Sequence, residues 1–432
     1  MNFPPIIISA LLLVLTLPPF RLNWVAGFAV MPLLLAIKPE RSLKSHFSTG
    51  FLTGLLYYGY GLYWILYYST FIYLAILFCH ILFFGLFLGL TGLVLRRTGN
   101  LFLFWLAPAL VWTALSLIYE YSPLGAVGTQ ALFYQPLEMM QISRYLGIYA
   151  VVFLFLLLNS SFALVLKSFS LRTVGLVFIS LSLLFGNFLW GKKVMAQPVA
   201  AGRHSIALIQ HDLPTDKAWW LQHQPLILEQ YRELALQAAQ SKPSLIVFPS
   251  YSLPFDAYRN PVFFEKLARE TQSWILVSTY VPTVKNRRIA EVGQYEMALL
   301  YSPEKGLVAA DKAVQGPPFR RIHEVLGEKK QLLETPAGKM GVLLCFEDAL
   351  SVQARHEAKA GADFLAAISN PSHFIKTFLP EYHLFQDQLR AIETGKPVIR
   401  VSAKGYTAII DRLGRFQKRS DLEKTEILIG EI

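Results

Sequence analysis

Charge is distributed so unevenly along this 432-residue chain that its two halves cannot share one solvent. Residues 1–190 hold nine Lys or Arg and three Asp or Glu, whereas residues 191–432 hold 31 and 26. A soluble domain carries about 25% charged residues. This chain has 16%, together with 54% hydrophobic residues and a mean hydropathy of +0.41. The imbalance predicts a membrane domain over residues 1–195 and a water-facing domain over residues 200–432. The net charge of +11 does not point to nucleic acid, because the basic excess is mild and spread through an ordinary soluble half. Two cysteines exclude a disulfide framework and any multi-cysteine metal site, so no metal or cofactor is expected.

A membrane-spanning helix needs about 20 apolar residues. Apolar runs bounded by charge, Pro or Gly give seven candidates: Pro4–Phe20, Trp24–Ile37, Phe47–Thr70, Phe71–Leu95, Leu101–Tyr119, Tyr145–Leu166 and Val174–Trp190. Leu124–Met140 is aromatic but broken by Gly and Pro, and reads as an interfacial or re-entrant segment. From a cytoplasmic N-terminus, alternating spans put Lys38, Arg41, Lys44, Arg96, Arg97, Lys167 and Arg172 inside, with Arg21 and Arg144 outside. The polar half then lies on the outer face. Pro4–Phe20 lacks a basic leader and a small-residue cleavage site, so it reads as a retained helix. Glu120 and Glu138 read as solvated loop carboxylates; alternatively, Glu120 with Tyr121, Gln141 and Arg144 lines a polar approach for headgroups. His80, mid-span, is a functional candidate as an intramembrane ionisable residue, or else is hydrogen-bonded to a neighbouring helix.

Beyond Lys193 the hydrophobic period changes. Strands are expected at 204–211, 245–248, 275–280, 341–345, 364–369, 398–403 and 407–411, and helices at 225–240, 261–271, 350–359 and 381–394. Residues 295–301 and 306–311 read as a hairpin. The alternation predicts one α/β or α+β sandwich domain. Cys345 ends an apolar strand, where a strand-to-helix turn exposes a side chain, aims backbone N–H groups at a reacting atom and eases thiol ionisation. A buried Cys acting as a small hydrophobe is the alternative. Lys312 ends the hairpin, Pro249-Ser250 follows the second strand, and Ser369-Asn370-Pro371 follows a later one.

This order resembles the nitrilase superfamily with its Glu–Lys–Cys triad. A multi-span half ahead of it is similar to the apolipoprotein N-acyltransferases of bacterial envelopes. Gly50, Gly54 and Gly61-Leu62-Tyr63-Trp64, Tyr145-Leu146-Gly147 with Asn159, Gln210 with Pro214 and Trp219, and Arg390 through Arg400 carry that likeness. The resemblance implies a multi-span α-helical membrane domain followed by an αββα sandwich, and ping-pong acyl transfer. Cys345 would attack a phospholipid ester, Lys312 and backbone N–H groups would hold the oxyanion, and a lipoprotein's diacylglyceryl-cysteine amine would take the acyl chain. It also implies a monomer in the bacterial inner membrane, with its catalytic domain on the periplasmic face. Trp219, Phe346 and Asn370 would line the substrate site, and residues 124–140 and 313–330 would form arms over the entrance.

The chain departs from that pattern. Ser250 stands where the family has its general-base Glu, and a second family acid falls on Arg320 or Arg321. The sequence ends at Ile432, before the final span that the resemblance implies. Ser cannot accept a thiol proton at neutral pH, and losing a positioned base costs about 10²–10⁴-fold. Glu347, two residues past the nucleophile, is the candidate substitute, with Asp256 behind it; alternatively Glu347 only caps the following helix. Three functions therefore stay open: an acyltransferase, a catalytically silent relative binding lipid, lipoprotein or an envelope partner, and a membrane-tethered amidase.

Overall fold

The computed structural model describes the chain except residues 1–2, 39, 97–99, 123–135, 200–201, 215–218, 220–221, 251–252, 254, 285–291, 314–326 and 328–329. It divides into two units, Met1–Gln197 and Pro198–Ile432.

The first unit is helical: α1 (Phe3–Leu15), α2 (Met31–Leu35), α3 (Leu43–Gly61), α4 (Thr70–Leu95), α5 (Leu101–Glu120), α6 (Leu137–Met140), α7 (Ser143–Leu146), α8 (Tyr149–Lys167) and α9 (Leu171–Met195). Four of these, α4, α5, α8 and α9, are long and apolar enough to cross a membrane. Three of these four helix starts are marked in the sequence by a short polar residue. Ser69, Asn100 and Ser170 accept hydrogen bonds from the first-turn N–H groups of α4, α5 and α9. Gly50 and Gly54, one turn apart, let α3 approach α4 closely: a Cβ on Gly50 would collide with the Phe84 carbonyl. Asn159 clips the 3₁₀ turn at Asn23–Gly27 and the start of α2 to α8. Its Oδ1 accepts from Val30 N (2.8 Å) and Met31 N (3.0 Å), and its Nδ2 donates to Ala26 O at 2.9 Å. His80 is buried, with Nδ1 2.9 Å from Ile76 O on its own helix.

Glu120 is not a solvated loop carboxylate. It ends α5, is buried, and accepts a hydrogen bond from the Tyr149 hydroxyl. Burial of the helix end, invisible in a local reading, brings it to α8. Tyr121 and Arg144 are exposed, while Gln141 donates back to Leu137 O at 3.0 Å.

The second unit is an αββα sandwich. One sheet runs β12-β1-β2-β3-β4-β5, the other β11-β10-β9-β8-β7-β6. Its strands are β1 (Ser205–Gln210), β2 (Leu245–Val247), β3 (Trp274–Val284), β4 (Val292–Ser302), β5 (Gly306–Lys312), β6 (Leu333–Thr335), β7 (Gly338–Leu344), β8 (Phe364–Ser369), β9 (Val398–Ser402), β10 (Ala408–Ile410), β11 (Phe416–Arg419) and β12 (Glu426–Glu431). Helices α10 (Gln224–Ala239) and α11 (Val262–Thr271) cover the first sheet, and α12 (Ser351–Lys359) and α13 (Leu379–Thr394) the second. Alternation along the strands sorts the core into layers: Ile206, Leu208 and Val247 meet Val342, Leu344 and Ile368 between the sheets, while Ala207, Ile209 and Ile246 face the helices. Both β1–β2–β3 and β7–β8–β9 are parallel, so their near-continuous apolar runs are those of strands buried on both faces. The expected strands do not include β6, β11 and β12; β6 and β11 carry one apolar residue each, too few to announce themselves in the sequence.

Candidate active site

The carboxyl ends of both sheets meet at one end of the sandwich. Lys404, just past β9, donates its N–H to His211 O at 3.1 Å and places Nζ 2.9 Å from Asp212 Oδ1, just past β1. Parallel pairing then puts Ser250, after β2, at the same end as Cys345, after β7, and Asn370, after β8. Two antiparallel steps, β3 to β4 and β4 to β5, return Lys312 at the end of β5 to that end as well. Open α/β sheets bind ligands there.

Cys345 opens a 3₁₀ turn, Cys345–Ala349, with φ at +53°. The left-handed region is unfavourable for a residue with a Cβ, and strain of this kind costs about 1–3 kcal/mol. Here it turns the chain sharply off β7 and leaves the thiol half-exposed. The helix expected at 350–359 runs from Ser351 to Lys359, directly behind this tight turn.

A buried triad clamps the turn to the strand that carries Lys312. Lys330 Nζ lies 2.9 Å from Asp311 Oδ2 and 2.7 Å from Glu347 Oε2, and all three side chains are almost fully buried. Burial alone would depress the lysine, but the two carboxylates outweigh it and raise its pKa. Glu347 Oε2 also accepts from Leu344 N at 3.0 Å. Glu347 is therefore a brace of the turn as well as the acid two residues past Cys345. Lys330, which the sequence presents as an ordinary solvated lysine, is the centre of the clamp. Only its two acids, 19 residues before and 17 after it, could have signalled this.

The side chain at residue 250 has a specific partner. Ser250 is buried, and its hydroxyl donates to Glu296 Oε1, while Tyr280 OH lies 3.5 Å from Glu296 Oε2. Ser278 Oγ sits 3.4 Å from Ser250 Oγ. Glu296 lies on β4, opposite Tyr280 on β3, and no sequence motif singled it out. Asp256 instead organises a local turn, accepting from Tyr258 N (3.0 Å) and Arg259 N (3.1 Å). Phe346 is buried beside Cys345, and Asn370 accepts from Ser372 N at 3.2 Å. Trp219 stacks on His223 at 4.4 Å and rests on the core under α10, which gives it a structural task. Arg320 and Arg321 lie outside the described residues, as do residues 123–135 and most of 314–329.

Comparison with known proteins matches this architecture in both units. A family model described as "Carbon-nitrogen hydrolase" covers residues 205–432, and one described as "Apolipoprotein N-acyltransferase N-terminal domain" covers residues 9–161. The chain belongs to the apolipoprotein N-acyltransferase family of carbon-nitrogen hydrolases. The apolipoprotein N-acyltransferase of Geobacter metallireducens is 26% identical over 99% of this chain and 88% of its own length. That of Gloeobacter violaceus is 27% identical over 59% of this chain, and the match spans about half of that protein (52%). Among solved structures, a carbon-nitrogen hydrolase from Helicobacter pylori is 18% identical, with a TM-score of 0.43 over 52% of this chain and 88% of that one.

A second buried network, centred on Arg400, fixes the far side of the turn. Arg400 Nη1 lies 2.9 Å from Asp348 Oδ2 and 2.5 Å from Asp387 Oδ2, and its Nη2 donates to Ser369 Oγ at 2.8 Å. His383 Nδ1 is 2.8 Å from Asp348. Burial opposes ionisation of Asp348, but His383 and Arg400 outweigh it and lower its pKa. Asp387 is pushed up by burial to about 6 despite the same arginine. The late block Arg390–Arg400, a mark of the resemblance, thus reaches the Cys345 turn through Asp348.

Proposed function

We propose that this chain transfers an acyl chain from a phospholipid, through a thioester on Cys345, to the α-amino group of a lipoprotein's diacylglyceryl-cysteine. The observation that carries the reading is the strained elbow at Cys345, braced on both sides by buried ion-pair networks at the end of the sandwich where Lys312 also emerges. Strain persists only where its surroundings over-determine it, and it clusters at active sites and ligand clamps.

In the first half-reaction the thiol gives up its proton, sulfur bonds to the ester carbonyl carbon, and the glycerol oxygen leaves with a proton as lysophospholipid. In the second, the amine attacks the thioester carbonyl, the C–S bond breaks and the thiol is regenerated. Splitting one hard displacement into two lowers each barrier. Lys312 and the N–H groups of the turn hold the oxyanion in both steps. The basic loop residues on one side of the spans support a periplasmic location for the catalytic unit.

Purified chain is incubated with phospholipid vesicles and its intact mass is read before and after hydroxylamine. The expected result is a hydroxylamine-labile acyl adduct that Cys345→Ala does not form. Absence of the adduct, with an acid-bearing relative as positive control, would leave the silent, lipid-binding reading that Ser250 favours.

A further inference from the structure

We infer that Glu296 is the proton acceptor for the Cys345 thiol, acting from β4 in place of the side chain at residue 250. The inference rests on the acyl-transfer reading above and supplies the base that reading otherwise lacks.

The geometry is built from register. Antiparallel pairing sets Glu296 opposite Tyr280, in the half of β3 nearest the site, and Ala313 N donates to Glu296 O at 3.0 Å, directly after Lys312. Along β4, Ala298 and Leu300 face the core between the sheets, where they meet Leu344. Two-residue alternation turns the Glu296 side chain to that same face, toward the sheet whose β7 ends at Cys345. Strand β4 packs against β7 across the sandwich. A short serine at 250 leaves room for the longer glutamate to reach over from β4, two strands away in the sheet, and the serine hydroxyl donates to it. The Tyr280 hydroxyl, 3.5 Å from the other carboxylate oxygen, limits its rotation.

A carboxylate on a core-facing strand position is costly to bury unless it is hydrogen-bonded. Two hydroxyl donors hold Glu296 at the catalytic end, whereas the other nearby carboxylate, Glu347, is committed to Lys330. The division of labour follows: Glu347 with Lys330 shapes the turn, and Glu296 carries the proton. It takes the thiol proton as sulfur attacks and gives it to the departing glycerol oxygen. It then takes a proton from the attacking amine and returns it to the sulfur as the C–S bond breaks.

The test compares Glu296→Gln with the parent chain and with the double variant Ser250→Glu/Glu296→Gln. Two readouts are used: the rate of the labile acyl adduct, and the rate of Cys345 alkylation by iodoacetamide between pH 6 and pH 9, followed by peptide mass. Glu296→Gln is expected to slow adduct formation by about 10²–10⁴-fold. Its alkylation should fall about tenfold per pH unit below the ordinary thiol pKa of about 8.5, while that of the parent levels off. The double variant, which returns a carboxylate to position 250, should recover adduct formation to within about tenfold of the parent. Should Glu296→Gln not fold, Glu296→Asp retracts the carboxylate by one methylene and is expected to slow the adduct at least tenfold. A Glu296→Gln rate within threefold of the parent, with an unchanged alkylation profile, overturns the inference while leaving the acyl-transfer reading intact. A parent that forms no adduct overturns acyl transfer itself, and the alkylation profile still decides whether Glu296 takes the proton.

Discussion

The two units bury polar groups by different chemistry. In the helical unit the clips are mostly neutral: Asn159 satisfies two N–H groups and a carbonyl, and Trp105 donates to Ser180, which in turn pairs with Ser161. In the catalytic unit the equivalent places are held by Lys330 with two acids and Arg400 with two more. Lipid offers nothing to solvate a charge while helices find their partners, so neutral hydrogen bonds suffice there and are worth about 1 kcal/mol each. A sandwich folding from water can assemble buried ion pairs, which gain little net stability but fix geometry tightly around one residue. The comparison shows where this protein needs exactness of position: around Cys345, not along its helices.

Removing Arg400 should give the largest effect. Arg400→Ala leaves Asp348 and Asp387 buried without their guanidinium and should destabilise the catalytic unit by about 3–5 kcal/mol. The loss should be smaller at pH 5 than at pH 8, because the stranded acids can protonate. Unfolding midpoints in detergent at the two pH values measure both effects. A loss below about 1 kcal/mol would break the comparison.

Next comes a buried acid without an adequate counter-charge. Burial pushes Glu357, on α12, up to about 7 from 4.5, and Lys330 only partly offsets it. The folded chain therefore keeps a proton that the unfolded chain releases between these values. The group's stabilising contribution is complete below pH 4.5 and is lost as pH rises through 7. Glu357→Gln should raise stability at pH 8 by roughly 2–3 kcal/mol and change little at pH 5. Paired melting curves test this; an equal gain at both pH values would remove titration as the cause.

The smallest effect is expected in the helical unit. Asn159→Leu exchanges a clip for an apolar side chain of similar size and should cost about 1 kcal/mol, read from melting in detergent. A cost equal to that of Arg400→Ala would show that the two units are held together alike.

Much of this was legible beforehand. The α/β alternation of residues 204–411 and the apolar helices of the first unit follow from hydropathy and period, which are written locally. The candidate nucleophile stood out because Cys345 closes an apolar run. What stayed hidden was paired across long stretches of chain. Glu120 looked solvated until α8 brought Tyr149 to it, 29 residues on. Lys330 looked like any surface lysine.

The amino-acid order alone therefore determined that one half meets lipid and the other water, and that a cysteine ends a buried strand, because each is a property of a dozen neighbouring residues. Only the tertiary structure decided which carboxylate stands beside residue 250. Ser250 and Glu296 are 46 positions apart, and the pairing of β2 with β3 and of β3 with β4 brings them together. Register is set by a whole sheet closing over its core, and no local pattern in the chain encodes it.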